Sequence, residues 1–135
     1  MPGKTFTCTL QVRWGDSDRL GHVNNTRFVE YVQEGRVQFL NAALGGSTGR
    51  GAVVVRRLVT DFLHPILDDS GPLTIELWVT HVGTTSYGVR HVVSDRDGTV
   101  CADAEALMVA FDLETSAKRP LSDSERAALG EYLHS

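Results

Sequence analysis

The sequence predicts an α+β domain in which a five-stranded antiparallel sheet wraps around one long central helix, followed by a short C-terminal helix. Three observations predict it. One stretch near 25–43 has helical spacing, alternating runs lie on both sides of it, and polar turn segments such as Asp95-Arg96-Asp97-Gly98 separate those runs. A lone amphipathic helix among consecutive strands can bury its apolar stripe only on the sheet those strands form. The order of elements is strand, long helix, four strands, short helix. The 135 residues fit one domain over 1–135. A chain of this size buries roughly two thirds of its unfolded surface and needs no disulfide or metal to hold a core.

Each element has its own signal. Residues 5–13 alternate, with Phe6, Cys8, Leu10 and Val12 on one face. Residues 14–23 form a loop. The helix from about Asn25 to Ala43 starts with Asn24 as N-cap, and Val23 and Phe28 stand at the two positions of a hydrophobic staple. Phe28, Val32, Gly35, Phe39 and Ala43 make its apolar stripe, and Arg27, Glu30, Glu34, Gln38 and Asn41 mark another face. Gly45, Gly46, Gly49 and Gly51 stop it. Residues 52–63 are a long β-branched run. Residues 73–82 alternate Leu73, Ile75, Leu77 and Val79 against Thr74, Glu76, Trp78 and Thr80. Residues 86–94 and 99–111 form a hairpin across Asp95–Gly98. Ser122 and Glu125 are spaced as a capping box for the last helix.

Composition excludes several classes. Charged residues are 22% and hydrophobic residues 41%, which fits neither a disordered chain nor a coiled coil. The net charge of -4 and the lack of a basic stripe argue against a nucleic-acid partner. A few local donors can still hold the phosphates of a small ligand. The start, Met1 to Cys8, has no apolar core of a signal peptide, and no run approaches the ~18 apolar residues of a membrane span. A soluble, cytoplasmic protein with no membrane partner is expected. Cys8 and Cys101 read as buried thiols in a reducing compartment. His64, His81 and His91 are scattered along strands, so no metal and no cofactor are expected.

The densest unusual segment is Asp16-Ser-Asp18-Arg-Leu-Gly21-His22-Val23-Asn24-Asn25. It joins a strand to the start of the long helix. The first N–H groups of a helix lack intrahelical acceptors, and the peptide dipoles add about half a positive charge there. Such an end can stabilise an oxygen that becomes anionic during reaction. Asp18, ionised at neutral pH, stands a few residues upstream. Together they could perform acyl transfer, with Asp18 attacking a carbonyl or activating water. Asx residues before a helix also serve as caps and turn formers, and Gly21 can be a turn residue. The spacing alone leaves both open and names no substrate.

The stretch from Trp14 to Asn25, with Phe28 and Tyr31, resembles the 4-hydroxybenzoyl-CoA thioesterase family of hot-dog proteins. So do Asp61-Phe62-Leu63-His64-Pro65 and Val82-Gly83-Thr84-Thr85-Ser86-Tyr87. The resemblance covers about residues 5–112. It implies an acyl-CoA thioesterase working as a homodimer or homotetramer, with active sites between subunits. It implies Asp18 as the reactive carboxylate, and the backbone N–H of Asn25 as the group that polarises the thioester carbonyl. Gly21, His22, Val23, Asn24 and Phe28 would line the substrate site. Coenzyme A would run towards the partner near Thr84, Thr85 and Ser86. That turn carries no charge here, so Arg57 and Arg90 become candidate phosphate donors, with a solvated strand residue as the other reading of each. The 52–63 strand would join the sheets of two copies edge to edge.

Other residues are weighed beside these. A helix glutamate is the nucleophile in another branch of the superfamily, and Glu34, with Glu30 one turn before it, is weighed for that role; a polar helix face or a buried hydrogen bond is the plainer reading. Asp16 orients the loop or caps a turn. His22 could be a general acid, or it lines the site or braces the loop. No Gly-x-Ser-x-Gly pattern suggests a serine hydrolase. The Asp–His pairs of hot-dog hydratases are spaced one residue further apart and include a proline, and neither holds here. A non-catalytic acyl-CoA or lipid binder and a thioesterase acting on acyl-carrier-protein substrates are the alternatives. Phe28, Tyr31, Val32 and Phe62 would set the depth of the acyl groove.

Overall fold

The computed structural model describes residues 3–45 and 51–134. Its elements are β1 (Phe6–Leu10), α1 (Asn25–Leu44), β2 (Gly51–Phe62), β3 (Leu73–Val82), β4 (Ser86–Ser94), β5 (Val100–Asp112), β6 (Ala117–Lys118) and α2 (Asp123–Gly130). One antiparallel sheet runs in the order β1-β3-β4-β5-β2, and the short β6 pairs with β5. The expected five strands and two helices are therefore present. β6 is an addition, because two residues carry no periodicity to read. β1 is shorter than the 5–13 run.

Helix α1 forms where the spacing places it. Asn24 caps it, accepting the N–H of Thr26 at 2.9 Å. Val23 and Phe28, the staple positions, are both buried. The C-cap is Gly45, whose N–H donates to the carbonyl of Asn41 at 3.0 Å. Gly46 and Gly49, the next glycines of the expected stop, lie outside the described residues. Phe28, Tyr31, Val32, Gly35, Arg36 and Phe39 are buried against the sheet. At Gly35 an added Cβ would stand 3.2 Å from Ile75 Cγ2, so the missing side chain lets α1 lie close on β3. Full burial of a Phe or Val side chain such as Phe39 or Val32 contributes roughly 1.5–3 kcal/mol.

The strands alternate as expected. Leu73, Ile75, Leu77 and Val79 are buried on β3. Arg36 is 6% exposed and donates to His91 Nε2 at 3.3 Å, with no carboxylate partner among the described residues. His91 is buried and has its Nδ1 3.2 Å from the carbonyl of Ala104. Burial, then the neighbouring Arg36, lowers its pKa to about 4. β2 is an edge strand, and Val54, Val55, Val59 and Phe62 on it are exposed. Cys8 and Cys101 are free and buried, and burial raises both thiols. No described helix is long and apolar enough to cross a membrane.

Candidate active site

The loop between β1 and α1 begins with a single 3-10 turn, Trp14–Asp16, and is fixed from both sides. On one side Val23 N–H donates to the carbonyl of Ile66 at 2.7 Å, and Ser17 Oγ bonds Asp68. On the other side stands Asp16, which is 5% exposed. Its Oδ2 accepts from the Tyr31 hydroxyl at 2.6 Å and from Arg13 Nε at 2.9 Å. Burial alone would raise the Asp16 carboxyl, but Tyr31, Arg13 and Arg27 outweigh it and hold it below its ordinary value. Burial and Asp16 push the Tyr31 hydroxyl up. The pair at neutral pH is a carboxylate accepting from a phenol.

Asp18 differs from it sharply. It is exposed, and one oxygen, Oδ1, accepts the N–H groups of Leu20 at 2.8 Å and His22 at 3.1 Å. The turn it closes needs Gly21, whose φ of 75° lies in the left-handed region. Asp18 is thus the turn former that its residue type suggests. No bond to Oδ2 is found among the described residues, so the second oxygen is open for chemistry.

Asp18 lines a cleft of ≈ 420 Å³ together with His22, Val23, Asn24, Asn25 and Phe28. The first backbone N–H of α1, that of Asn25, has no intrahelical acceptor. Asn24 uses its side chain on Thr26, one position further. The far wall is the exit of β2: Phe62, Leu63, His64 and Pro65. Phe62 meets Phe28 edge-on, ring centroids 5.4 Å apart. The cleft therefore offers an open carboxylate oxygen, a helix N-terminus and an apolar wall.

The structure brings together Asp18, His22, Val23, Asn24, Asn25 and Phe28. Gly21 shapes the turn without lining the cleft. Thr84, Thr85 and Ser86 do not line it in a single copy; their turn is held by Gly83 N–H to Ser86 O and Leu121 N–H to Thr84 O. Arg90 proves a poor free phosphate donor, because its guanidinium is paired with Asp103 at 3.0 and 2.6 Å. It and Arg57 share a groove with His81, Asp61 and Glu105. Strand alternation turns Arg90 away from the α1 side, where its neighbour His91 is buried. Glu34 lies outside the Asp18 cleft and accepts from Gln38 at 3.1 Å, and Glu30 meets Arg13 and Arg27. Leu63, His64 and Pro65 belong to a segment that carries the family resemblance, but none was assigned to the site from sequence. The signals that could have found them are that motif and their place at the end of the long strand.

Comparison with known proteins bears on the chemistry. The family model of the thioesterase-like superfamily matches residues 12–129. A thioesterase from Thermus thermophilus, crystallised with coenzyme A and Zn, is 27% identical, with a TM-score of 0.79 over 91% of this chain and 95% of that one. Among the described residues no three His, Cys, Asp or Glu side chains are grouped to hold a metal. A thioesterase superfamily protein from Jannaschia sp. superposes with a TM-score of 0.90 at 20% identity, covering 100% and 99% of the two chains. A 1,4-dihydroxy-2-naphthoyl-CoA thioesterase from Synechocystis does so at 0.82 and 23%, covering 95% and 97%. Those two likenesses identify the fold. No curated protein sequence matches.

Proposed function

We propose, from the premise that this chain belongs to the thioesterase-like superfamily, that it hydrolyses an acyl-CoA thioester to a free acid and coenzyme A. The observation that carries the reading is the shared cleft, in which Asp18 and the first residues of α1 face the same space. The carbonyl oxygen would rest against the Asn25 N–H, where developing negative charge meets the helix dipole. Asp18 Oδ2 would attack the carbonyl carbon or draw a proton from water. The acyl group would lie along Phe28 and Phe62, and His22 and Val23 would border it. A coenzyme A-bound relative, the Thermus protein, supports this ligand class.

A second copy would complete the site. β2 is an edge strand, and its exposed Val54, Val55 and Val59 lead to the Phe62–Pro65 wall of the cleft. A long apolar edge left open would invite non-specific pairing. The Thr84–Ser86 turn would reach coenzyme A from the partner.

Thiol release from a panel of short, long and aromatic acyl-CoAs, with the matching acyl-carrier proteins, tests the function. Turnover of at least one acyl-CoA is expected. Tight binding across the panel with no thiol released would favour a binding protein instead, and turnover of carrier-protein substrates alone would move the acceptor.

A further inference from the structure

The loop bearing Asp18 is held to α1 by side chains that the proposed reaction does not itself use. Asp16 gathers them. Tyr31 and Arg13 donate to its Oδ2, and Arg27 Nε lies 3.6 Å from its Oδ1. Arg13 and Arg27 both continue to Glu30, at 3.0 and 2.6 Å. The main chain of Asp16 takes part too, since its carbonyl accepts the N–H of Asn24, the α1 cap, at 3.3 Å. One buried residue thus touches the segment leaving β1, the body of α1 and the first turn of α1. It stands two positions before Asp18.

The Tyr31 ring belongs to the core, but the polar bonds of this network are not what seats α1. Helix α1 is already seated by Phe28, Val32 and Phe39, and the loop is pinned to the 66–68 segment through Val23 and Ser17. What Asp16 adds is a fixed relation between the loop and the tip of the helix. Together those form the side of the cleft that carries Asp18 and Asn25. Charge-assisted bonds to a carboxylate are short and directional, so they suit that task. We propose that Asp16, clamped by Tyr31, is a positioning residue that sets the Asp18 carboxylate against the Asn25 amide. The inference rests on the reading of Asp18 given above. A displacement of about 1 Å between reacting groups can cost roughly 100-fold in rate, so a small loosening would be visible.

Tyr31→Phe removes one hydroxyl and keeps the buried ring. With an acyl-CoA that the wild type hydrolyses, kcat should fall about 10-fold or more, with KM changed less than about twofold. Adding Tyr31→Phe to Asp18→Asn should then change the residual rate by less than about twofold, because the clamp acts through Asp18. Should Tyr31→Phe fold poorly, Arg13→Gln at an exposed side chain should give the same pattern, weaker in size. Native kcat in these variants, or the same fractional loss with and without Asp18, would overturn the inference alone. Native turnover by Asp18→Asn, or none by the wild type, would overturn the reading of Asp18 and this inference with it.

Discussion

The two helices of this chain start in opposite ways. α2 closes its own N-terminus: Ser122 Oγ accepts the Glu125 N–H at 3.1 Å, and Glu125 returns the bond to Ser122 N–H at 2.9 Å. Glu125 is 1% exposed and also takes Arg119 at 2.7 and 3.0 Å. α1 begins with a cap that serves Thr26, and its first residue, Asn25, lines a cleft. Its nearby carboxylate, Asp18, is exposed and only half engaged. An acid beside a helix start is therefore no signal of function in itself. On the proposed reading, function needs the acid and the amides to be left incompletely paired, and a space they share.

Substitutions can break that contrast. The largest expected effect is on activity. Asp18→Asn keeps an oxygen to accept from Leu20 and His22, so the turn and the Tm should persist. Removing the charge should lower kcat by about 10²–10⁴. The same change at the other helix, Glu125→Gln, should do the reverse. It leaves Arg119 without its counter-charge at a buried pair and should cost about 3 to 5 kcal/mol, seen as a fall of roughly 10 °C in Tm. kcat per folded molecule should stay native. Loss of activity without loss of stability at Glu125 would erase the distinction.

Next in size is a pH effect from the layer beneath α1. His91 has its folded pKa lowered to about 4, against 6.5 for the free side chain. Between those values the unfolded chain binds a proton that the folded chain refuses. Stability is thus full above about pH 6.5 and falls as pH drops to about 4, by up to about 3 kcal/mol. Urea unfolding across this range should display the slope, and His91→Leu should flatten it. Asp16 and Glu125 act lower, because their carboxyls are held below the ordinary range. Their contribution is present above the unfolded value near 4 and is lost as pH falls through the folded one. The smallest effects come from the caps. Asn24→Ala and Ser122→Ala should each cost about 1 kcal/mol in melting experiments, and of the two only Asn24→Ala should also reduce kcat.

The fold was legible because its signals are local. Alternation over Leu73–Val79, helical spacing from Phe28 to Phe39 and the Ser122-x-x-Glu125 box each depend on neighbours in sequence. One short loop joins Asp18 to Asn25, so their nearness was local too, but the spacing left a plain turn and cap equally open and only the family resemblance singled the two out. The remainder depends on contacts between distant residues. Phe62, Leu63, His64 and Pro65 reach the cleft only because β2 pairs with β5 in a register that ends beside Phe28. Arg90 read as a candidate phosphate donor until the register set it opposite Glu105, with Asp103 diagonal to it and in bonding reach. Asp16 and Asp18 are the same residue type two positions apart. What separates them is Tyr31, fifteen residues away, whose hydroxyl reaches one and not the other.

The arrangement around the carbonyl can be seen directly in a crystal structure of Asp18→Asn with an unhydrolysed acyl-CoA. The thioester oxygen should lie about 3 Å from the Asn25 amide nitrogen, with the carbonyl carbon facing the side chain at position 18. An acyl-CoA seated in that crystal with its thioester away from both groups would contradict the account.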